Sequence, residues 1–457
     1  MHDLIDGLTA QAGQLAGLLW QNPLTLLLLL GMGAFLTWKT RLVQLRALPH
    51  AVALLAGRHA TPGADGQISH FQALATALSA TVGTGNIAGV ATAVSLGGPG
   101  ALLWMWVTAF LGMATKFAEC TLAVRYRQVA ADGEIAGGPM YTLAEGAGLP
   151  RVGQAFALFA LLASFGIGNM VQANSVVDGL QFAAGGTAPT GLWLGLLMAA
   201  LVGAVIVGGI RRIAATASAL VPLMALGYIV AALAVLAQQA ALIPAAFALI
   251  VESALNPAAA GAAALGEAIR WGVARGLFSN EAGLGSSPMA HAAAQTDEPV
   301  REGLVAMLEP LIDTLVICTL TGLVIVTAQL AAGPPAGVAG AALTAWAFSG
   351  GLGIAGGWVV GAGLALFAFS TMIAWSYYGD RCARFLFGAR AVLPYRLVFT
   401  VLVAVGATVP LELVWNLADI FNLLMALPNL LSLLLLAPVV RALQRSYFAG
   451  RRRAAGA

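Results

Sequence analysis

Two short stretches carry the residues best suited to hold a small polar solute. The first reads Ala80-Thr81-Val82-Gly83-Thr84-Gly85-Asn86, and the second Gly276-Leu277-Phe278-Ser279-Asn280-Glu281-Ala282-Gly283. Each sets glycines and small polar side chains inside an apolar run. Glycine weakens a helix, and Ser, Thr and Asn compete for its backbone hydrogen bonds, so each stretch predicts an interrupted helix. An interruption exposes N–H groups and partial positive charge where one half begins, and free carbonyls where the other ends. The first end suits a carboxylate, and the second suits an ammonium group or Na⁺. An amino acid zwitterion matches both. The amides of Thr84 and Gly85 are the expected carboxylate ligands. Carbonyls near Thr81 and Phe278, with the Ser279 hydroxyl, are the expected amine ligands. Gly83, Gly85 and Gly89 alone would also suit a close helix-packing face. A second break at the matching place in the other half of the chain favours a binding site. The run Gly83–Gly89 lacks the spacing and the Gly-Lys of a phosphate loop.

These breaks must sit in helices that cross a lipid bilayer. Of the 457 residues, 60% are hydrophobic and only 9% charged. A soluble domain carries about 25% charged residues, and this chain could not clothe a water-facing surface. Glycine, at 55 residues, is abundant as in membrane helices, where small residues let backbones approach. Apolar runs near 20–38, 71–97, 100–124, 152–182, 191–209, 213–237, 264–290, 302–329, 357–380, 393–410 and 413–440 predict about eleven transmembrane helices. The runs are too long, and lack the alternation, for a β-barrel. An all-α polytopic membrane protein is therefore expected. The N-terminal segment carries no Lys or Arg before its first apolar run, so no cleaved signal is expected.

The basic residues test this count. Nineteen of the 22 fall on alternate loops, after runs one, three, five, seven and nine and in the tail, while the loops near 183–190, 238–263 and 330–356 have none. The positive-inside rule puts the N-terminus outside and the C-terminus in the cytoplasm of a plasma (inner) membrane protein. Arg451, Arg452 and Arg453 would touch anionic lipid. The scattered basic clusters form no patch for nucleic acid. The breaks lie about 195 residues apart, each opening a block of five runs, one entered from inside and the other from outside. That is the pattern of an inverted repeat. The expected organisation is an extra N-terminal helix and cytoplasmic loop (1–70), a first five-helix repeat (71–240), an extracellular connection with a second, inverted five-helix repeat (241–440), and a basic cytoplasmic tail (441–457).

The run Thr81–Ala93, Thr81-Val82-Gly83-Thr84-Gly85-Asn86-Ile87-Ala88-Gly89-Val90-Ala91-Thr92-Ala93, resembles the signature of the alanine or glycine:cation symporter family. Gly97-Gly98-Pro99-Gly100-Ala101, Trp104-Met105-Trp106, Gly112-Met113-Ala114-Thr115-Lys116-Phe117-Ala118-Glu119, Gly137-Gly138-Pro139-Met140-Tyr141 and Gly276–Gly285 extend the likeness, which runs from about residue 20 to 440. The resemblance implies a fold like the leucine-transporter superfamily and cation-driven uptake of a small neutral amino acid. It implies that Thr84 and Gly85 take the substrate carboxylate, that Phe278 and Ser279 supply ligands from the second break, and that Gln172 reaches the substrate. It places Asn86 and Thr81 at a sodium site. It also implies that Ser370 and Thr371 bind Na⁺ against the first broken helix, near Val82 and Ser79. Hydroxyl and carbonyl oxygens suit such a hard cation. By themselves, Ser370 and Thr371 could equally bond back to their own helix turn.

Trp375, one turn beyond Thr371, is placed to cap a pocket and limit substrate size. Charges at membrane depth mark pathways or paired sites. Lys116 and Glu119, three apart, are expected to pair. Glu281 sits in the second break as a candidate gate or proton-linked group, and Glu309 and Asp313 are also at depth. Coupling to protons through Glu281 is the alternative to Na⁺. A channel or membrane-embedded enzyme is the remote one, since the chain has no His-Glu-x-x-His and no Gly-x-Ser-x-Gly. No catalytic residue and no organic cofactor are expected, with Na⁺ as the coupling ion. The five histidines are expected mostly at the N-terminus or in cytoplasmic loops, and Cys120, Cys318 and Cys382 as small core residues.

Overall fold

The computed structural model describes residues 2–57, 65–129, 133–184, 191–255, 257–333, 337–409 and 411–455. Arg58, His59 and most of the loop 183–190 lie outside them. Nearly everything described is helix, apart from a two-residue antiparallel ladder pairing Gln128–Val129 with Ile135–Ala136. Each of the eleven apolar runs is helical in the structure. Among the described residues, seven helices are long and apolar enough to span a bilayer, and up to nine spans result if each bent pair is counted as one. The protein is thus a multi-pass membrane protein. Its outer surface agrees, with Leu18, Trp193, Leu223, Leu226 and Val401 all exposed.

Among the described residues, three helices of thirteen residues or more add to the expected set. His2–Gln21 precedes Pro23–Lys39, the joint being made by Asn22, whose side chain caps Leu24 N–H at 3.0 Å, and by Pro23 at the first helical position. Ile243–Leu255 and Gly340–Leu352 lie where only loops without Lys or Arg were expected. Both are too short to register as spans.

The first expected break is present. A capping box, Ser69 with Gln72, starts helix His70–Thr81, a device that stabilises a helix start by about 1 kcal/mol. The chain leaves helical geometry at Val82, with ψ 89°, and resumes as wide π-type turns over Gly85–Gly89 and then helix Val90–Gly97. The two arms diverge by 52°.

The second break is displaced. Helix Pro257–Asn280 winds straight through Gly276, Phe278 and Ser279, and the interruption begins at Glu281, whose φ is +55°. Gly283 and Gly285, at φ +90° and +82°, turn the chain toward the short helix Pro288–His291. Gly276 serves packing instead. A Cβ there would stand 3.3 Å from Met105 Cα and from Thr108 Cβ.

The run 152–182 is also uneven. Helix Pro150–Phe165 passes through π-type turns at Gly166–Met170 into helix Val171–Ala183. Gly168 permits this, because a Cβ there would fall 2.3 Å from Trp375 Cβ on the long helix Ile354–Phe387.

Candidate functional site

Around the first break the contacts are closer than side chains would allow. A Cβ on Gly83 would meet Thr371 Oγ1 at 2.5 Å and Gln172 Oε1 at 3.3 Å. One on Gly85 would meet Ser279 Cα at 3.1 Å and Phe278 Cδ1 at 3.3 Å. The structure therefore brings Gly83, Gly85, Gln172, Phe278, Ser279 and Thr371 to one place. Gln172 is buried, donates to Ile167 O at 2.9 Å and accepts Thr84 N–H at 3.3 Å. Its carbonyl thus holds, at a long and replaceable distance, the amide expected to take a carboxylate. The hydroxyls of Thr84 and Thr371 are buried without a protein partner. Buried polar atoms are seldom left so, and an orphan pair beside a helix break is what a ligand site looks like when empty of partners from the chain.

Ser79 and Ser370 interlock. Ser79 Oγ donates to Ser370 O at 2.7 Å, and Ser370 Oγ donates to Phe367 O at 2.8 Å and to Ser79 O at 3.3 Å. The first broken helix is thereby stitched to Ile354–Phe387 one turn before Val82. Thr81 bonds back to Ala77 O and Leu78 O.

Asn86 makes contacts quite separate from those of Thr81. Asn86 Oδ1 accepts Gly83 N–H at 2.8 Å, closing the break on itself, and its Nδ2 donates to Asp313 Oδ1 at 2.7 Å. Asp313 is the residue that reading by motif overlooked. Wholly buried, its carboxylate also accepts Ser279 Oγ and Thr314 Oγ1, both at 2.7 Å. It bridges the two broken helices through one side chain from each. Its depth in an apolar run flagged it as unusual, but nothing local tied it to Asn86, 227 positions away.

Trp375 packs on Gly168, and its indole N–H donates to Glu281 Oε1 at 2.8 Å. Glu281 also accepts the Ser286 hydroxyl, across the turn that Glu281 begins. On the other side, Phe278 stacks on Trp415 with centroids 4.6 Å apart. The Arg275 guanidinium lies 4.8 Å from the Trp415 ring and bonds Asp419 Oδ2 at 2.9 Å. Arg275, Trp415 and Asp419 line a vestibule of about 550 Å³, bordered by Trp20 and Trp271.

Lys116 and Glu119 do not pair with each other. Lys116 Nζ reaches Glu309 Oε1 at 3.0 Å and Ser287 Oγ at 2.6 Å. Glu119 accepts Gly283 N–H at 3.1 Å and Asn429 Nδ2 at 2.5 Å. The helix Ala101–Arg125 thus supports the second break from two points, which outweighs an intrahelical pair worth only a few tenths of a kcal/mol, about 0.2–0.5. His70 and His291 are not loop residues either, since His291 is wholly buried and the His70 side chain is 11% exposed.

Comparison with known proteins agrees with this geometry. Residues 6–456 match the model of the sodium:alanine symporter family. The chain is 51% identical over 424 residues to the sodium/alanine symporter AgcS of Methanococcus maripaludis, covering 92% of this chain and 93% of that protein. It is 38% identical over 447 residues to the putative sodium/proton-dependent alanine carrier YrbD of Bacillus subtilis, covering 94% and 90%. The crystal structure of MhsT in complex with L-phenylalanine superposes with a TM-score of 0.59 at 15% identity, over 84% of this chain and 99% of that one. The fold is therefore leucine-transporter-like, as the motifs implied. The family and these relatives are transporters and not enzymes, and Na⁺ is the coupling ion. With two interrupted helices meeting at Gly85 and Ser279 and a family match along almost its whole length, the chain belongs to the sodium:alanine symporter family.

Proposed function

We propose that this protein takes up a small neutral amino acid, alanine or glycine, together with Na⁺ by alternating access. The observation that carries this is the meeting of the two broken helices at Gly85 and Ser279, where a Cβ on Gly85 would be 3.1 Å from Ser279 Cα. In this reading the amides of Thr84 and Gly85 bind the substrate carboxylate, with Gln172 Oε1 giving up Thr84 as substrate enters. Ser279 and the carbonyl near Phe278 receive the amine, and Trp375 bounds the pocket for small side chains. Na⁺ is held between the first break and Ile354–Phe387, by Thr371 and the Val82 carbonyl with Ser79 and Ser370 alongside. Thr81 and Asn86 shape the break from its two ends, and the Asp313 carboxylate joins Asn86 of the first broken helix to Ser279 of the second. Sodium orders the unwound backbone and so strengthens substrate binding, and linkage makes the effect mutual.

The chain crosses a plasma membrane eleven times with its N-terminus outside and C-terminus in the cytoplasm, in the 1–70, 71–240, 241–440 and 441–457 organisation, the two five-helix blocks being inverted copies. Trp271, Arg275 and Asp419 then face the outside, and the segments around 65–70 and 291–301 face the cytoplasm. In proteoliposomes, labelled alanine or glycine should accumulate under an inward Na⁺ gradient. Uptake that is unchanged with choline in place of Na⁺, at fixed pH, would refute the coupling. Proton coupling through Glu281 is the second reading, favoured by its position at the turn. It requires that Glu281→Gln flatten the dependence of uptake on external pH.

A further inference from the structure

The inner ends of both broken helices are fastened by a buried ionisable cluster that the substrate site does not use. Residues 65–68 run against 293–296. Gln67 N–H donates to Ala293 O at 2.8 Å, Gln295 N–H to Ile68 O at 2.8 Å, and Thr296 N–H to Asp65 O at 3.2 Å. The Arg127 guanidinium gathers four carbonyls across this seam, those of Asp65, Ala292, Ala294 and Thr296, at 2.7–3.1 Å. Behind it lies Glu302, wholly buried, which accepts Nδ1 of His70 and, at 2.5 Å, Nδ1 of His291. His291 Nε2 is 3.9 Å from Glu309 Oε2, and the other oxygen of Glu309 receives Lys116. His70 heads the first broken helix, and His291 ends the short helix after the second break.

Both imidazoles spend Nδ1–H on Glu302, a tautomer assigned from the hydrogen bonds. With Nδ1–H spent on Glu302, a neutral His291 turns its Nε2 lone pair toward Glu309 Oε2, so two buried acceptors face each other across 3.9 Å. Both atoms are without hydrogen-bond partners, an expensive arrangement in a buried place. One proton taken up by the cluster gives each orphan atom the other, directly or through one water in that gap.

We propose that the inner gate is a proton-binding site, in which the His70–Glu302–His291 cluster holds one proton while the gate is shut and releases it to cytoplasmic water when the gate opens. The neighbouring groups fit this cycle. From Ala101–Arg125, Glu119 and Cys120 face the cluster, and from the second break Glu281 does. Tyr378 of Ile354–Phe387 faces Glu309. On the cytoplasmic rim Arg127 and Arg301 repel an imidazolium, with Asp65 and Asp297 beside Arg127. Farther along that rim, His50 of Leu48–Leu55 is engaged by Tyr447 of the C-terminal helix at 2.7 Å. Because the proton is bound when shut and lost when open, alkaline cytoplasm favours opening. One proton allows at most about a tenfold change in the opening equilibrium per pH unit.

The inference rests on the transport reading above, and the experiment separates the two. Protein reconstituted with its cytoplasmic face inward is driven by a fixed Na⁺ gradient, with internal pH set between 6 and 8 at constant external pH. Uptake limited by substrate release should rise several-fold with internal pH and respond less to external pH. His291→Gln and, separately, His70→Gln should flatten that profile while Na⁺-dependent alanine binding in detergent stays within about twofold of the wild type. Absence of uptake at every pH would count against the transport reading itself. Uptake that is present but flat with internal pH in the wild type would overturn the latch. So would a wild-type profile in a His291→Gln protein that binds substrate normally.

Discussion

Thr371→Val separates an ion ligand from a structural hydroxyl with one isosteric change. Thr371 Oγ1 is buried, has no partner in the protein and points at the first break, 2.5 Å from where a Gly83 Cβ would stand. A buried hydroxyl left unsatisfied costs about 1–3 kcal/mol, so replacing it with a methyl group should stabilise the sodium-free protein by a like amount. If the same oxygen is a sodium ligand, its loss removes a charge-assisted contact worth about 1.5–3 kcal/mol, or roughly a ten- to 150-fold weaker sodium response. The two effects have opposite signs, which makes the variant decisive. Thermal unfolding in detergent would be followed in choline and in rising Na⁺, with the sodium dependence of alanine binding measured by calorimetry. The expected result is a higher midpoint in choline and a sodium half-saturation shifted upward by at least tenfold. A lower midpoint in choline with an unshifted sodium curve would show that the hydroxyl holds the helix together, and the assignment of Thr371 would fall.

Other perturbations test neighbouring contacts. Asp313→Asn puts an amide where three donors converge, so at least one of Asn86, Ser279 and Thr314 loses its acceptor; alanine binding should weaken at least tenfold, and calorimetry showing an unchanged affinity would exclude Asp313 from the site. Arg275→Ala strips the guanidinium from Asp419 and from the Trp415 face; bound substrate should dissociate toward the outside several-fold faster in a chase experiment, with little loss of thermal stability relative to its effect on rate. Lys116→Met leaves Glu309 buried without its cation, which should cost about 3–5 kcal/mol, and adding Glu309→Gln should restore most of the lost melting temperature.

The bilayer made much of this fold legible. Spanning the hydrocarbon core demands about 20 apolar residues in a row, a local property that a chain cannot disguise. The first break was legible for the same reason, because Gly83, Thr84, Gly85 and Asn86 contradict their surroundings within one turn. The second was placed too early. Gly276 looks like a helix breaker, yet helix Pro257–Asn280 passes through it because its missing side chain admits Met105 and Thr108. The turning is done by Glu281, Gly283 and Gly285, at positive φ. The Gly-x-Gly followed by Ser-Ser-Pro at 283–288 was the signal available for it. Partners across helices were not legible at all. Spacing says which residues share a face, so Lys116 seemed to belong with Glu119. Whether a neighbouring helix offers something better, here Glu309 from 193 positions away, depends on how the helices pack.

The distribution of charge explains why a site for a zwitterion is built mainly from peptide groups and hydroxyls. Fixed ion pairs stand at the two ends, Arg275 with Asp419 at one and Lys116 with Glu309 near the other. Between them, Asp313 joins Asn86 and Ser279 from the two breaks. A neutral zwitterion accompanied by Na⁺ adds positive charge, and the buried carboxylate that contacts both breaks is placed to balance it where imbalance is most costly. A fixed cation there would oppose the sodium. Peptide dipoles avoid this fault, since they orient the carboxylate and ammonium of the substrate without adding net charge. A buried ion pair at the substrate itself would have to be broken or compensated on every binding event, which is costly in so dry a place.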